Sequence, residues 1–170
     1  MAFIVEDNNI ISFAEFQDVQ DRDQRLFDNN ESLTDDVVEN LLIRATERIL
    51  SKIRSTQWWG SYFLINDNGA TTIVTRADIP SPDANKIIGR SSDFTDLCVF
   101  SALADYILPL VADFGTEINA EREKMGYYKN KSDELFMELI SAGDWYDFDD
   151  SGAISASEKL PGQINLKRVR

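Results

Sequence analysis

Residues 147 to 158 concentrate the chemistry of this 170-residue chain. They place Asp147, Asp149 and Ser151 at alternate positions, Gly152 immediately after, and Glu158 at the end. The spacing is D-x-D-x-S-G-x5-E, that of a calcium loop of the EF-hand type. A hard divalent cation takes oxygen ligands, and short side chains at alternate positions can aim their oxygens at one centre. Ala153 would offer its backbone carbonyl, and Ser155 fits a water-bridged ligand. Glu158 is long enough to reach back as a bidentate ligand, and Gly152 stands where the chain must turn sharply. Ile154 is apolar and suits inward packing. The candidate metal ligands are therefore Asp147, Asp149, Ser151, Ala153, Ser155 and Glu158, and the candidate ion is Ca²⁺. Lys159, Leu160, Pro161 and Gly162 leave no normal exiting helix, and there is no second loop to pair with. A solitary half-site should bind weakly, with Kd on the order of 10⁻⁴–10⁻³ M, and act as a structural staple rather than a signal. The same residues also fit an acidic turn that ends a helix.

Most other chemistry is excluded by composition. There is no His, which removes Ser-His-Asp and Cys-His catalysis and His-ligated metal. Cys98 is the single cysteine, so no intrachain disulfide forms; its apolar neighbours Leu97, Val99 and Phe100 predict a small buried residue. No Gly-rich phosphate loop or nucleophile motif occurs, and the chain is not expected to be an enzyme. Seventeen Lys and Arg against 30 Asp and Glu give a net charge of −13. Autonomous nucleic-acid binding depends on neutralising phosphates, and attraction to anionic membranes depends on basic residues, so neither is expected. No apolar run approaches a membrane span, and the N-terminus lacks the basic start of a secretory signal.

The charge is uneven. Residues 1–40 carry 11 Asp and Glu and 2 Lys and Arg, whereas residues 159–170 carry four bases and no acid. In that tail Ile164, Leu166 and Val169 interleave with Lys167, Arg168 and Arg170, a pattern that suits docking on an acidic partner. A solvated, frayed terminus is the other reading of the same tail.

The elements that must position these residues are mostly helical. Ser12 with Glu15 three residues on has capping-box spacing and predicts a first, acidic helix. Thr34, Asp35 and Asp36 predict the start of a second. Its apolar positions Val37, Val38, Leu41, Leu42, Ala45, Ile49 and Ile53 recur at three- and four-residue steps, and Trp58, Trp59 and Gly60 should end it. The period then changes. Residues 62–65 and 71–75 are β-rich around Asp67, Asn68 and Gly69, predicting a hairpin within an excursion over residues 60–89. A third helix starts near Ser92 and Asp93, with Pro109 expected to kink or shorten it, and a fourth runs from about Ile118 to Ser141 into the acidic loop. Trp58, Trp59 and Trp145 read as core and helix-end packing, with interface anchoring as the alternative. The fold class is mainly α: a small helical bundle with a β-hairpin-like excursion and an extended C-terminal tail. Residues 1–146 form the helical domain, 147–158 the EF-hand-like loop and 159–170 the basic tail.

The order of these features is distinctive. A short acidic helix precedes the run from Leu41 to Ile49, then come the excursion and a third helix. Tyr127, Tyr128 and Lys129 lead to the run from Leu135 to Ile140, then Gly143, Trp145, Tyr146 and Asp147. This order resembles the head–tail connector (adaptor) proteins of tailed bacteriophages, small helical bundles of the virion neck. The resemblance covers most of the chain outside residues 60–89, which depart from the pattern. It implies a structural virion protein assembled in the host cytoplasm. It further implies a ring, usually of twelve copies, seated beneath the portal protein, carrying the next neck or tail-completion protein and letting DNA pass. By the same resemblance the segment from about Ser155 to Arg170 is the portal-docking tail, and Trp145 and Tyr146 match the aromatic end of the last helix. The alternative is a calcium-binding regulatory or adhesion module with a single loop.

Overall fold

A computed structural model describes residues 3–28, 30–66, 78–112, 120–156 and 158–159. The fold is mainly α, a small helical bundle with an antiparallel two-strand hairpin. The hairpin is N-terminal. β1 (Ile4–Glu6) pairs with β2 (Asn9–Ser12), setting Val5 opposite Ile10 and Glu6 opposite Asn9. Asp7 and Asn8 form the turn at φ +50° and +65°. Two left-handed residues give the primed turn whose twist matches the strands.

Ser12 therefore ends a strand instead of capping a helix, and its hydroxyl donates to the Ala14 carbonyl at 2.7 Å. α1 (Phe16–Arg22) begins a turn later, with Glu15 at the N-cap and its backbone N–H donating to Asp18 Oδ2 at 3.0 Å. α2 (Gln24–Asp28) follows after Asp23, whose buried carboxylate takes two bonds from Lys124 Nζ at 2.6 and 2.9 Å.

α3 (Asp35–Ser55) buries Val38, Leu41, Leu42, Ala45, Ile49 and Ile53 of the predicted stripe, while Val37 at its start is exposed. Thr34 takes the N-cap position without a side-chain cap bond, leaving Asp35 and Asp36 to complement the helix dipole. The helix ends at Ser55, before Trp58. Thr56 breaks it with extended backbone, donates its hydroxyl to the Ile53 carbonyl at 2.7 Å, and accepts the Trp59 N–H at 3.2 Å. That second bond caps α4 (Gln57–Asn66). The predicted strand over residues 62–65 is thus helix. A short apolar run fits either period, and here the cap and aromatic packing decide. The predicted turn at residues 67–69 and strand at 71–75 lie outside the described residues.

α5 (Ser91–Ala102) passes through a π-helical turn, Leu103–Ile107, into α6 (Leu108–Val111). The wide turn accommodates Pro109, which lacks an N–H and crowds the preceding turn of a regular helix. Ser91–Val111 is a 21-residue helical rod holding an 18-residue window of mean hydropathy 1.6, long and apolar enough to cross a membrane by those measures. Asp93, Asp96, Asp105 and Pro109 hide it in the sequence. Two thirds of its apolar window is buried inside the protein, so it serves as the core helix. α3 packs against it on one side and α7 (Ala120–Ala142) on the other. Ser101 and Ser132 hydrogen bond at 2.8 Å between α5 and α7, and Thr46 meets Cys98 at 3.4 Å between α3 and α5. Cys98 is fully buried, and burial pushes its thiol up to about 11.

Candidate metal site

α7 does not run directly into the acidic loop. Gly143 stops it at φ +61°, with its N–H on the Leu139 carbonyl at 3.0 Å. Any Cβ there would lie 2.8 Å from the Lys159 carbonyl and 2.9 Å from Trp58 Nε1, so glycine is required by space as well as by backbone. The chain then lies along residues 86–89. Ile88 and Gly89 donate to the Trp145 carbonyl at 3.1 Å, Ile87 bridges Tyr146, and the Asp147 N–H reaches the Lys86 carbonyl at 2.9 Å. Asp144 is held by Arg90, whose guanidinium draws its carboxyl below the usual range. This strip fixes Asp147, the first predicted ligand. The helix expected to lead into the loop thus ends at Ala142, and four residues join it to Asp147.

Within the loop the predicted positions come together. Asp147, Asp149 and Glu158 each place a carboxylate oxygen within 4.8 Å of the others. Asp147 and Glu158 are buried at 2% exposure, while Asp149 is exposed. Asp147 accepts N–H bonds from Ser151 at 3.1 Å and Gly152 at 2.7 Å. Glu158 accepts from Phe148 at 2.7 Å, Asp149 at 3.1 Å and Ser155 at 2.6 Å. Burial pushes both carboxyls up, but these donors outweigh it and hold both below the ordinary carboxylate range. The Ser151 hydroxyl donates to the Ala153 carbonyl at 2.9 Å, so those two oxygens face each other. Gly152 has φ +79° and open space around it, so glycine there answers the turn alone.

Two oxygens bound to one Ca²⁺ at about 2.4 Å lie no more than about 4.8 Å apart. The three carboxylates meet that limit, and their chemistry is that of a hard-cation site. Ser151, Ala153 and Ser155 stand in the same loop but are bonded to one another or to Glu158. No helix pair flanks the loop among the described residues, so an ion here would fasten chain segments without swinging helices apart.

Local spacing does not mark every contributor to the site. Lys86 pairs with Asp150 at 3.6 Å across the loop. Tyr62 stacks on Phe148, with centroids 3.7 Å apart and planes at 17°, and burial followed by the charges of Glu158, Asp149 and Asp147 raises its hydroxyl pKa. Both come from distant sequence, where no loop pattern points to them. Trp58, Trp59, Phe63, Trp145 and Tyr146 complete an aromatic floor under the loop. Trp59 and Trp145 are fully packed within it. The predicted partner-binding residues Ile164, Leu166, Lys167, Arg168, Val169 and Arg170 lie outside the described residues.

Compared with models of known protein families, with curated proteins and with solved structures, the chain finds no match in any of the three.

Proposed function

We propose that this chain is a structural protein of a tailed-bacteriophage virion, a head–tail connector of the neck. Copies form a ring, usually of twelve in proteins of that kind, which binds the portal, carries the next neck protein and lets DNA pass ungripped. It works by docking rather than catalysis. The observation that carries the reading is the element order. α3, α5 and α7 pack as one bundle, with Trp145 and Tyr146 buried just beyond the end of the last helix, and this arrangement supports the reading. An excess of 13 negative charges suits a channel that must not hold DNA. The test is capture by the portal protein encoded in the same genome, with electron microscopy of the complex. The full chain should be captured and form a ring beneath the portal. A chain lacking residues 162–170 should stay folded by circular dichroism and lose capture. A full chain that forms no ring with the portal overturns the reading.

A second reading, a calcium-binding regulatory or adhesion module, is favoured by the gathered carboxylates of Asp147, Asp149 and Glu158. The described residues give the loop no flanking helices to move, so within the connector reading Ca²⁺ is a weak structural staple. Terbium should bind the loop and luminesce through Tyr62 and Trp58, which adjoin Phe148. Glu158→Gln removes the bidentate carboxylate and should abolish the signal. Unchanged luminescence in that variant identifies the loop as an acidic turn.

A further inference from the structure

The corner between α1 and α2 grips two helices at once. Arg22, the last residue of α1, pairs with Asp96 of α5 and lays its guanidinium 4.8 Å over the Phe100 ring. The next residue, Asp23, is buried and receives two hydrogen bonds from Lys124 Nζ of α7, at 2.6 and 2.9 Å. Phe100 in turn lies against Tyr128 of α7, with centroids 6.0 Å apart and planes at 23°. The corner therefore crosses the seam where α5 meets the beginning of α7.

That beginning has little else to hold it. None of residues 120–127 is buried, although Met125 packs partly against the core. The firm apolar anchoring of α7 starts at Tyr128 and continues through Leu135, Phe136 and Leu139. Lys124 stands one turn before Tyr128 on the same face. Between them lies Gly126. A Cβ there would meet nothing within 4 Å, and its backbone is not left-handed, so neither space nor conformation asks for glycine. What glycine does in a helix interior is weaken it, by about fivefold in helical population relative to alanine.

We infer that residues 120–125 are a lever on α7, hinged at Gly126 and latched to the body by Lys124 on Asp23. Opening takes the cation away from a buried carboxylate, which is costly, so the latch keeps the lever shut in the isolated chain. The weak point at Gly126 confines the motion: residues 120–125 leave as one piece while Tyr128 and everything after it stay packed. A partner that takes Lys124 or Asp23 into an ion pair of its own releases the lever. The inference does not rest on the portal reading, because its test uses the isolated chain.

The experiment is amide hydrogen exchange of the full chain, followed by NMR. In a helix the amides of residues 125–129 donate to the carbonyls of residues 121–125, so they report the lever, and those of residues 136–142 report the rest of α7. Residues 125–129 should share one protection factor. Lys124→Met should lower it by about tenfold or more and leave residues 136–142 within about twofold of the parent. Gly126→Ala, whose methyl meets open space, should raise it about fivefold. Protection that climbs residue by residue from the start of the helix is plain fraying and overturns the inference. Exchange in Lys124→Met that speeds up equally along all of α7 also overturns it, as does exchange in Gly126→Ala equal to the parent's. If Lys124→Met fails to fold by circular dichroism, Gly126→Ala carries the test by itself.

Discussion

Glu158 closes the acidic loop with three backbone N–H bonds, and Asp147 anchors its start with two. Both sets of bonds favour the ionised forms. Both folded-state pKa values therefore lie below the unfolded values of about 3.9 for Asp and about 4.3 for Glu. Linkage then fixes the sign. The loop's contribution to stability is fully present above the unfolded values and is lost as pH falls through the depressed folded ones. In chelator, the melting temperature of the parent chain should exceed that of Glu158→Gln by a constant margin between pH 7 and about pH 5. The margin should shrink as the pH drops further, read by circular dichroism melts at each pH. A margin that grows on acidification contradicts the assignment. At this scale the sequence is informative, because loop chemistry is local: Asp147, Asp149, Gly152 and Glu158 come together within one short stretch of chain, as their spacing suggests. Lys86 and Tyr62 are illegible there, since each reaches the loop only through tertiary folding.

Among the elements, α3 is readable because a long stripe of Val38, Leu42, Ala45, Ile49 and Ile53 has only one period that fits. α4 is not, because Tyr62, Phe63, Leu64 and Ile65 are apolar and aromatic residues in a run too short to reveal a period. Thr56 holds the missing information, since it breaks one helix and caps the next. Thr56→Ala should cost about 1 kcal/mol by loss of the cap to Trp59. Urea unfolding followed by tryptophan fluorescence measures it, and an unchanged midpoint would mean that aromatic packing alone holds α4. The N-terminal hairpin has a weaker signal of its own: Asp7 and Asn8, residues that tolerate left-handed backbone, lie between Ile4, Val5, Ile10 and Ile11. Ser12 and Glu15 mislead because capping-box spacing says nothing about whether the first residue is already committed to a strand.

For the whole molecule, net charge outweighs the individual ion pairs. Surface pairs such as Arg48–Asp105 and Lys52–Asp133 contribute little each, about 0–1 kcal/mol, and salt weakens them. The excess of 13 negative charges instead makes the folded chain repel itself. Adding NaCl from about 10 mM to about 300 mM shortens the Debye length from about 30 Å to below 8 Å and should raise the melting temperature. Scanning calorimetry checks this, and a falling value would give the balance to the ion pairs. The same repulsion between copies makes salt a condition for any ring. The acidic loop also has a mechanical consequence. It lies in series between Lys159 and the bundle, so tension applied to the C-terminal segment loads the Glu158 contacts before it reaches α7. Their rupture would release about twelve residues of slack, about 40 Å of extended chain, while α3, α5 and α7 stay packed. The loop is thus a fuse that yields first and spares the body.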